Sequence, residues 1–220
     1  MPSTEFDGAV DHPQQRPPRL DSGGTELMWP WEHAAVGYLL FSLVVHGLYR
    51  RSPAGAGALL LLFATQLPDL VDKPLSWGLD LFPAGFSVAH SVFVAVPVGI
   101  AGAWLLARSG RRDAAVALVV GYWSHLVGDV VSPLRAGDPL AVDRLLWPVV
   151  RQEPYGEDLG LGRGLVYIRE YVADVTSQGP TPALALSALA LLLAVALWVA
   201  DGLPGVRWLH RAAVGQQGRK

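Results

Sequence analysis

Apolar residues fall in five runs along this chain, at about residues 33–49, 54–67, 87–107, 114–131 and 183–203. The runs are too continuous for half-exposed strands, and most are long enough, or nearly so, to cross a bilayer as helices. Trp29 and Trp31 precede the first run as an interfacial aromatic anchor, and Arg50 and Arg51 stop it. The second run is short and ends in LPDLVDKP, where Pro68 and Pro74 bracket Asp69 and Asp72. His90 opens the third run, Pro97 should kink it, and Arg108, Arg111 and Arg112 close it. The fourth run carries His125 and Asp129 near its end, and the fifth is Ala/Leu-rich and free of charge until Asp201. The pattern predicts an all-α helical membrane protein with about five transmembrane helices.

The polar intervals add an orientation. Basic clusters follow runs one, three and five, whereas the intervals after runs two and four have no basic excess. All three clusters share one side only if every run crosses. The positive-inside rule then puts the N-terminus outside and the C-terminus in the cytoplasm of a multi-pass protein in the cell membrane. The chain divides into a disordered leader over residues 1–28, a core over 29–150, an extracytoplasmic loop over 151–180, an anchor over 181–204 and a basic tail over 205–220. Within the loop, LGRGLVYIREYVADVT has Val166, Tyr167, Tyr171 and Val175 in a rough 3.6 period, which fits an amphipathic surface helix. The leader has no apolar segment behind a basic start, so it is not read as a signal peptide.

Composition sharpens this picture. Of 220 residues, 51% are hydrophobic and 16% charged, and mean hydropathy is +0.33. Ordinary soluble domains carry roughly a quarter charged residues. The formal net charge of -2 leaves no basic footprint for nucleic acid, so the lipid bilayer is the expected partner. The chain has no cysteine, so a metal would have to use His and carboxylates.

Candidate chemistry begins with GYWSHLVGDVVSP, residues 121–133, where His125 and Asp129 stand one helical turn apart on one face. An imidazole and a carboxylate so placed can hold a divalent metal. The pair alone fits equally well a helix-capping Asp beside a satisfied interior His. The five-crossing topology adds to it. His33, Asp69, Asp72, His90, His125 and Asp129 then all lie at helix ends on the outer side, and ionisable groups at membrane depth usually mark function. His46 is about 20 Å along the helix from His33. It falls on the inner side, with His210 in the tail, and both read as structural, while His12 lies in the leader.

The blocks PDLVDKP, GFSVAHS, GYWSHLVGDVVSP and LLWP resemble, over residues 29–150, the signature of membrane-bound metal-dependent hydrolases, also described as LexA-binding, inner-membrane-associated hydrolases. That family is in turn distantly similar to the zinc-dependent phospholipase C and P1 nuclease group, helical enzymes that hold zinc with His, Asp and a helical HxxxD. The resemblance implies that His33, Asp69, His90, His125 and Asp129 are metal ligands, with Asp129 able to bridge two ions. Two departures stand out: Gly85 occupies a position where many members have a second His, and no His between His125 and His210 supplies the phospholipase group's further HxxxE.

Together these readings point to hydrolysis of a phosphoester by metal-activated water. Asp69, His90, His125 and Asp129 hold the main ion, His33 helps to hold a second, and Asp72 serves as general base or orients a ligand. Zn2+ suits this donor set and Mn2+ is tolerated. An interfacial site suggests a phospholipid-like substrate. Two alternatives stay open: a non-catalytic protein whose metal or polar cluster staples helix ends, and a small ion- or proton-coupled transporter.

Overall fold

The computed structural model describes residues 28–217, so the leader assigned to residues 1–28 lies, except for Met28, outside the described residues. All regular structure among them is helical: α1 (Pro30–Tyr49), α2 (Gly55–Ala64), α3 (Leu67–Lys73), α4 (Val92–Arg108), α5 (Arg112–Val131), α6 (Arg163–Gln178), α7 (Pro182–Ala200) and α8 (Val206–Gln217). A π-helical turn at Pro74–Gly78 prolongs α3, and a 3-10 turn at Ser132–Ala136 prolongs α5.

Local chemistry explains the element ends. The Trp29 backbone N–H donates to the Glu32 carboxylate at 2.7 Å, half of a capping box; an indole offers no acceptor for the other half. Arg50 closes α1 in the left-handed region (φ 51°), and its N–H bonds His46 O. Ser91 caps α4 by accepting from Phe93 N at 3.2 Å, and Thr181 caps α7 by accepting from Leu184 N at 3.1 Å.

α5 lies at the centre, packed against α1, α2 and α4, while α7 packs against α1. Tyr38, Phe41, Val45, Leu61 and Ala117 form the buried core between α1, α2 and α5. Gly121 sets the closest approach: a Cβ there would stand 2.8 Å from Ala64 Cβ and 3.1 Å from Leu61 O. The outward faces are apolar and exposed, with Leu43, Ile100, Trp104, Leu105 and Leu192 uncovered. So large an uncovered apolar surface is stable only against lipid.

Three helical stretches are long and apolar enough to cross a membrane: Gly55–Gly78, Arg112–Ala136 and Pro182–Ala200. The short second run of the sequence therefore gains length from α3 and the π turn, reaching 24 residues. α4 is apolar but has 17 residues, and α1, with 20, falls outside the count. The Glu32, His33 and His46 side chains dilute the apolarity of α1, because this helix supplies polar partners to its neighbours at both ends. The last run is more than a plain anchor, since Ser187 bonds Glu32 and Asp201 bonds three residues of α1. The basic tail forms a helix, α8, through Gln217.

Candidate metal centre

The antiparallel course of the helices brings the start of α1, the α3 segment, the residues before α4 and the end of α5 to one end of the bundle. Asp69, His90, His125 and Asp129 meet there, each offering one ligand atom, and these atoms all lie within 4.8 Å of one another. His90 Nε2 and His125 Nε2 are 3.3 Å apart, and Asp129 Oδ2 is 3.2 Å from each. Asp69 Oδ1 stands farther off, at 3.7 Å from His90 Nε2 and 3.8 Å from His125 Nε2. The His side chains are fully buried, Asp129 is 4% exposed and Asp69 12%.

The far side of each imidazole fixes what the near side presents. His125 Nδ1 is 2.7 Å from the Thr65 carbonyl oxygen, which only accepts, so Nδ1 carries the proton. His90 Nδ1 is 2.8 Å from Asp72 Oδ2, whose carboxylate also accepts from the backbone N–H groups of Ser87 (2.9 Å), Ala89 (2.9 Å) and His90 (3.0 Å). Asp72 is therefore a bare acceptor, and His90 is protonated at Nδ1 as well. With Nδ1 so engaged, each imidazole turns Nε2 into the cluster, beside the other Nε2 and two carboxylates. Two carboxylates and two imidazole nitrogens facing one point call for positive charge, from a proton on Nε2 or from a divalent cation, and a donor set of this composition fits a metal on chemical grounds.

His33 is at the edge of the cluster. Its ring stacks on His125 with centroids 3.9 Å apart, and its Nε2 lies 3.3 Å from Asp129 Oδ1. Neither His33 ring nitrogen makes a hydrogen bond among the described residues, although both are buried. Gly128 makes room for this ring, since a Cβ there would come within 3.2 Å of His33 Nδ1. Asp129 thus faces His33 with one oxygen and His90 and His125 with the other. Asp72 touches none of the converging Nε2 or carboxylate atoms except through His90.

Several participants had no distinctive sequence signal. Lys73 pairs with Asp69 Oδ2 at i,i+4, a spacing readable on any helix, and leaves Oδ1 toward the imidazoles. Arg144 donates to Asp129 O at 2.9 Å and lies over the Phe86 ring. Tyr122 donates to Ala89 O at 2.7 Å, fixing the loop before His90. The space beside Gly85 is filled: a Cβ would meet Tyr155 Oη at 3.2 Å and Lys73 Cγ at 3.3 Å.

α6 lies over this end of the bundle. Tyr167 meets Trp77 edge-on, Tyr171 packs on Trp29 and Trp31, and Arg163 sits over the Tyr155 ring. Burial pushes the Tyr167 phenol pKa up. A neighbouring face of α6 leaves Leu165, Ile168 and Val172 exposed, as an interfacial helix does. His46 and His210 are remote from the cluster: His46 bonds Asp201, and His210 is exposed on α8.

An all-helical bundle with an apolar exterior and a buried Asp/His donor set at one end defines a membrane protein with a group able to hold a metal. A family model places it more narrowly: residues 28–204 match that of the YdjM inner membrane protein family, and the chain belongs to that family. No curated protein and no solved structure matches the chain.

Proposed function

We propose that this inner-membrane protein is a metal-dependent hydrolase acting on a phosphoester, with a phospholipid-like substrate. The observation that carries the reading is the convergence of Asp69, His90, His125 and Asp129, with both imidazoles held so that Nε2 is free to ligate. Zn2+ suits two imidazoles and two carboxylates, and Mn2+ is the nearest competitor. Such an ion supplies Lewis acidity toward a phosphoryl oxygen and a more acidic water. His33 and Asp129 Oδ1 offer a place for a second ion. In this reading Asp72 positions His90, as its burial and its four protein donors favour over a direct role as base. Lys73 holds Asp69 in turn and carries positive charge toward an anionic substrate.

The proposed topology keeps five crossings, with the donor cluster and α6 on the outer face and the basic end in the cytoplasm. The arginines support it: Arg50, Arg51, Arg108, Arg111 and Arg112 lie at or beside helix ends opposite the cluster, and Arg207 and Arg211 lie on α8, which follows α7 at that end.

Elemental analysis of purified protein, followed by turnover of a phosphomonoester and phosphodiester panel with Zn2+ and Mn2+ restored after chelation, tests the proposal. Asp129→Ala should lose both metal and activity, because it removes an oxygen 3.2 Å from two imidazoles. The near-complete burial of the donors favours one second reading, a metal that staples helix ends without catalysis. Stoichiometric metal with no turnover above the Asp129→Ala background would select it.

A further inference from the structure

A second polar region lies at the other end of the bundle. A cleft of about 670 Å³ opens between the α1–α2 turn and the α7–α8 corner, lined by Pro53, Gly55, Asp201, Arg207, Trp208 and Arg211. That volume is in the range of small-ligand sites. Arg207 and Arg211 stand one turn apart on α8, and neither forms an ion pair among the described residues. Arg211 Nε donates to the carbonyl of Arg207, at 3.2 Å.

The carboxylates of this end are already engaged. Asp201 is turned into the bundle, where Tyr38 Oη and Ser42 Oγ donate to Oδ2 at 2.7 and 2.6 Å, and His46 Nε2 lies 2.7 Å from Oδ1. Its side chain is 2% exposed. Asp113 is held by Arg51 and by the Ala54 backbone N–H. Arg50, Arg108, Arg111 and Arg112 are exposed nearby, so the surroundings are cationic. The cleft therefore presents two guanidinium groups without an ion-pair partner among the described residues, and the described carboxylates nearby are already engaged.

Its depth selects the kind of anion. α7, long and apolar enough to span the membrane, ends at Ala200, one residue before Asp201. The cleft thus opens where acyl chains give way to headgroups. On α8, Val206, Trp208 and Leu209 are about half exposed, apolar contacts for the adjoining glycerol and acyl region.

We propose that this cleft binds the headgroup of an anionic phospholipid, Arg207 and Arg211 clamping its phosphate while Val206, Trp208 and Leu209 rest among the chains. The site is independent of the donor cluster at the opposite end and of any reaction there.

Full-length protein in mild detergent is equilibrated with equimolar phosphatidylglycerol and phosphatidylethanolamine, and retained lipid is counted by native mass spectrometry. Wild type should retain phosphatidylglycerol preferentially, and Arg207→Gln/Arg211→Gln should weaken that retention about 30-fold. Arg111→Gln/Arg112→Gln removes equal charge from the same end outside the cleft and should leave most of the preference. Equal losses in the two doubles would mean diffuse attraction and overturn the site, as would wild-type retention without headgroup preference. Displacement of the lipid by glycerol phosphate would assign the cleft to a soluble phosphate ester and overturn the lipid reading. If the double variant does not fold, Arg211→Gln alone, on an exposed turn of α8, should show a loss of about 5-fold, and no loss overturns the proposal.

Discussion

Replacing Asp72 by Asn changes one oxygen and one charge in a fully buried site, and the structure sets the consequence. Asp72 Oδ2 accepts from Ser87 N, His90 N and His90 Nδ1 at 2.9, 3.0 and 2.8 Å, and Oδ1 accepts from Ala89 N at 2.9 Å. The best orientation of Asn keeps its carbonyl in the Oδ2 place and turns its NH2 toward the Ala89 N–H. The Ala89 N–H then faces that NH2 and keeps only its longer contact, 3.1 Å, with the Oδ2 place, and a buried donor left wholly unpaired costs about 1–3 kcal/mol, which is the upper bound here. The bond to His90 also loses its charge assistance, and charge-assisted bonds are roughly twice as strong as neutral ones. His90 becomes both less basic and less firmly oriented, and such partners of ligating imidazoles are typically worth about 10–100-fold in metal affinity. The expected result is therefore a folded protein of lower melting temperature that binds Zn2+ about 10–100-fold more weakly in competition with a chromogenic chelator. Asp72→Ala, which orphans all four donors, should melt lower still. Wild-type affinity in Asp72→Asn would refute the positioning role, and complete loss of metal equal to that of Asp129→Ala would show that Asp72 is itself a ligand.

Other outcomes follow from the same geometry. Metal affinity should fall as pH drops, because His90 and His125 must both be neutral at Nε2 to ligate and protons compete for those lone pairs; affinity flat between about pH 8 and about pH 5 would contradict imidazole ligation. Asp201→Ala should lower thermal stability in detergent by about 1–3 kcal/mol, since it strands the buried Tyr38 and Ser42 hydroxyls, while leaving metal content unchanged; loss of metal would mean that the two ends are coupled. Gly121→Val should destabilise by about 1–3 kcal/mol through overpacking against Ala64 and the α2 backbone; an unchanged melting temperature would show that α2 and α5 can separate without cost.

The sequence alone determined the helical, membrane-embedded class, because apolar runs and their basic flanks are local properties that each stretch carries by itself. The pairing of His125 with Asp129 was legible for the same reason: a spacing of four on a helix is a short-range geometric fact, and the structure has Asp129 Oδ2 3.2 Å from His125 Nε2. Only the tertiary structure decided what those groups face. The Thr65 carbonyl that sets the His125 tautomer lies 60 positions away in sequence, and any residue type would present the same oxygen. The backbone donors around Asp72 are equally silent, since N–H groups are common to nearly every residue. Asp201, which ended a run that looked like a plain anchor, gained its role only when α7 packed against α1 and met Tyr38, Ser42 and His46. Hydrophobic period writes the elements into the chain, whereas the partners of each buried polar atom are fixed by which helix faces which, and that depends on packing along the whole bundle.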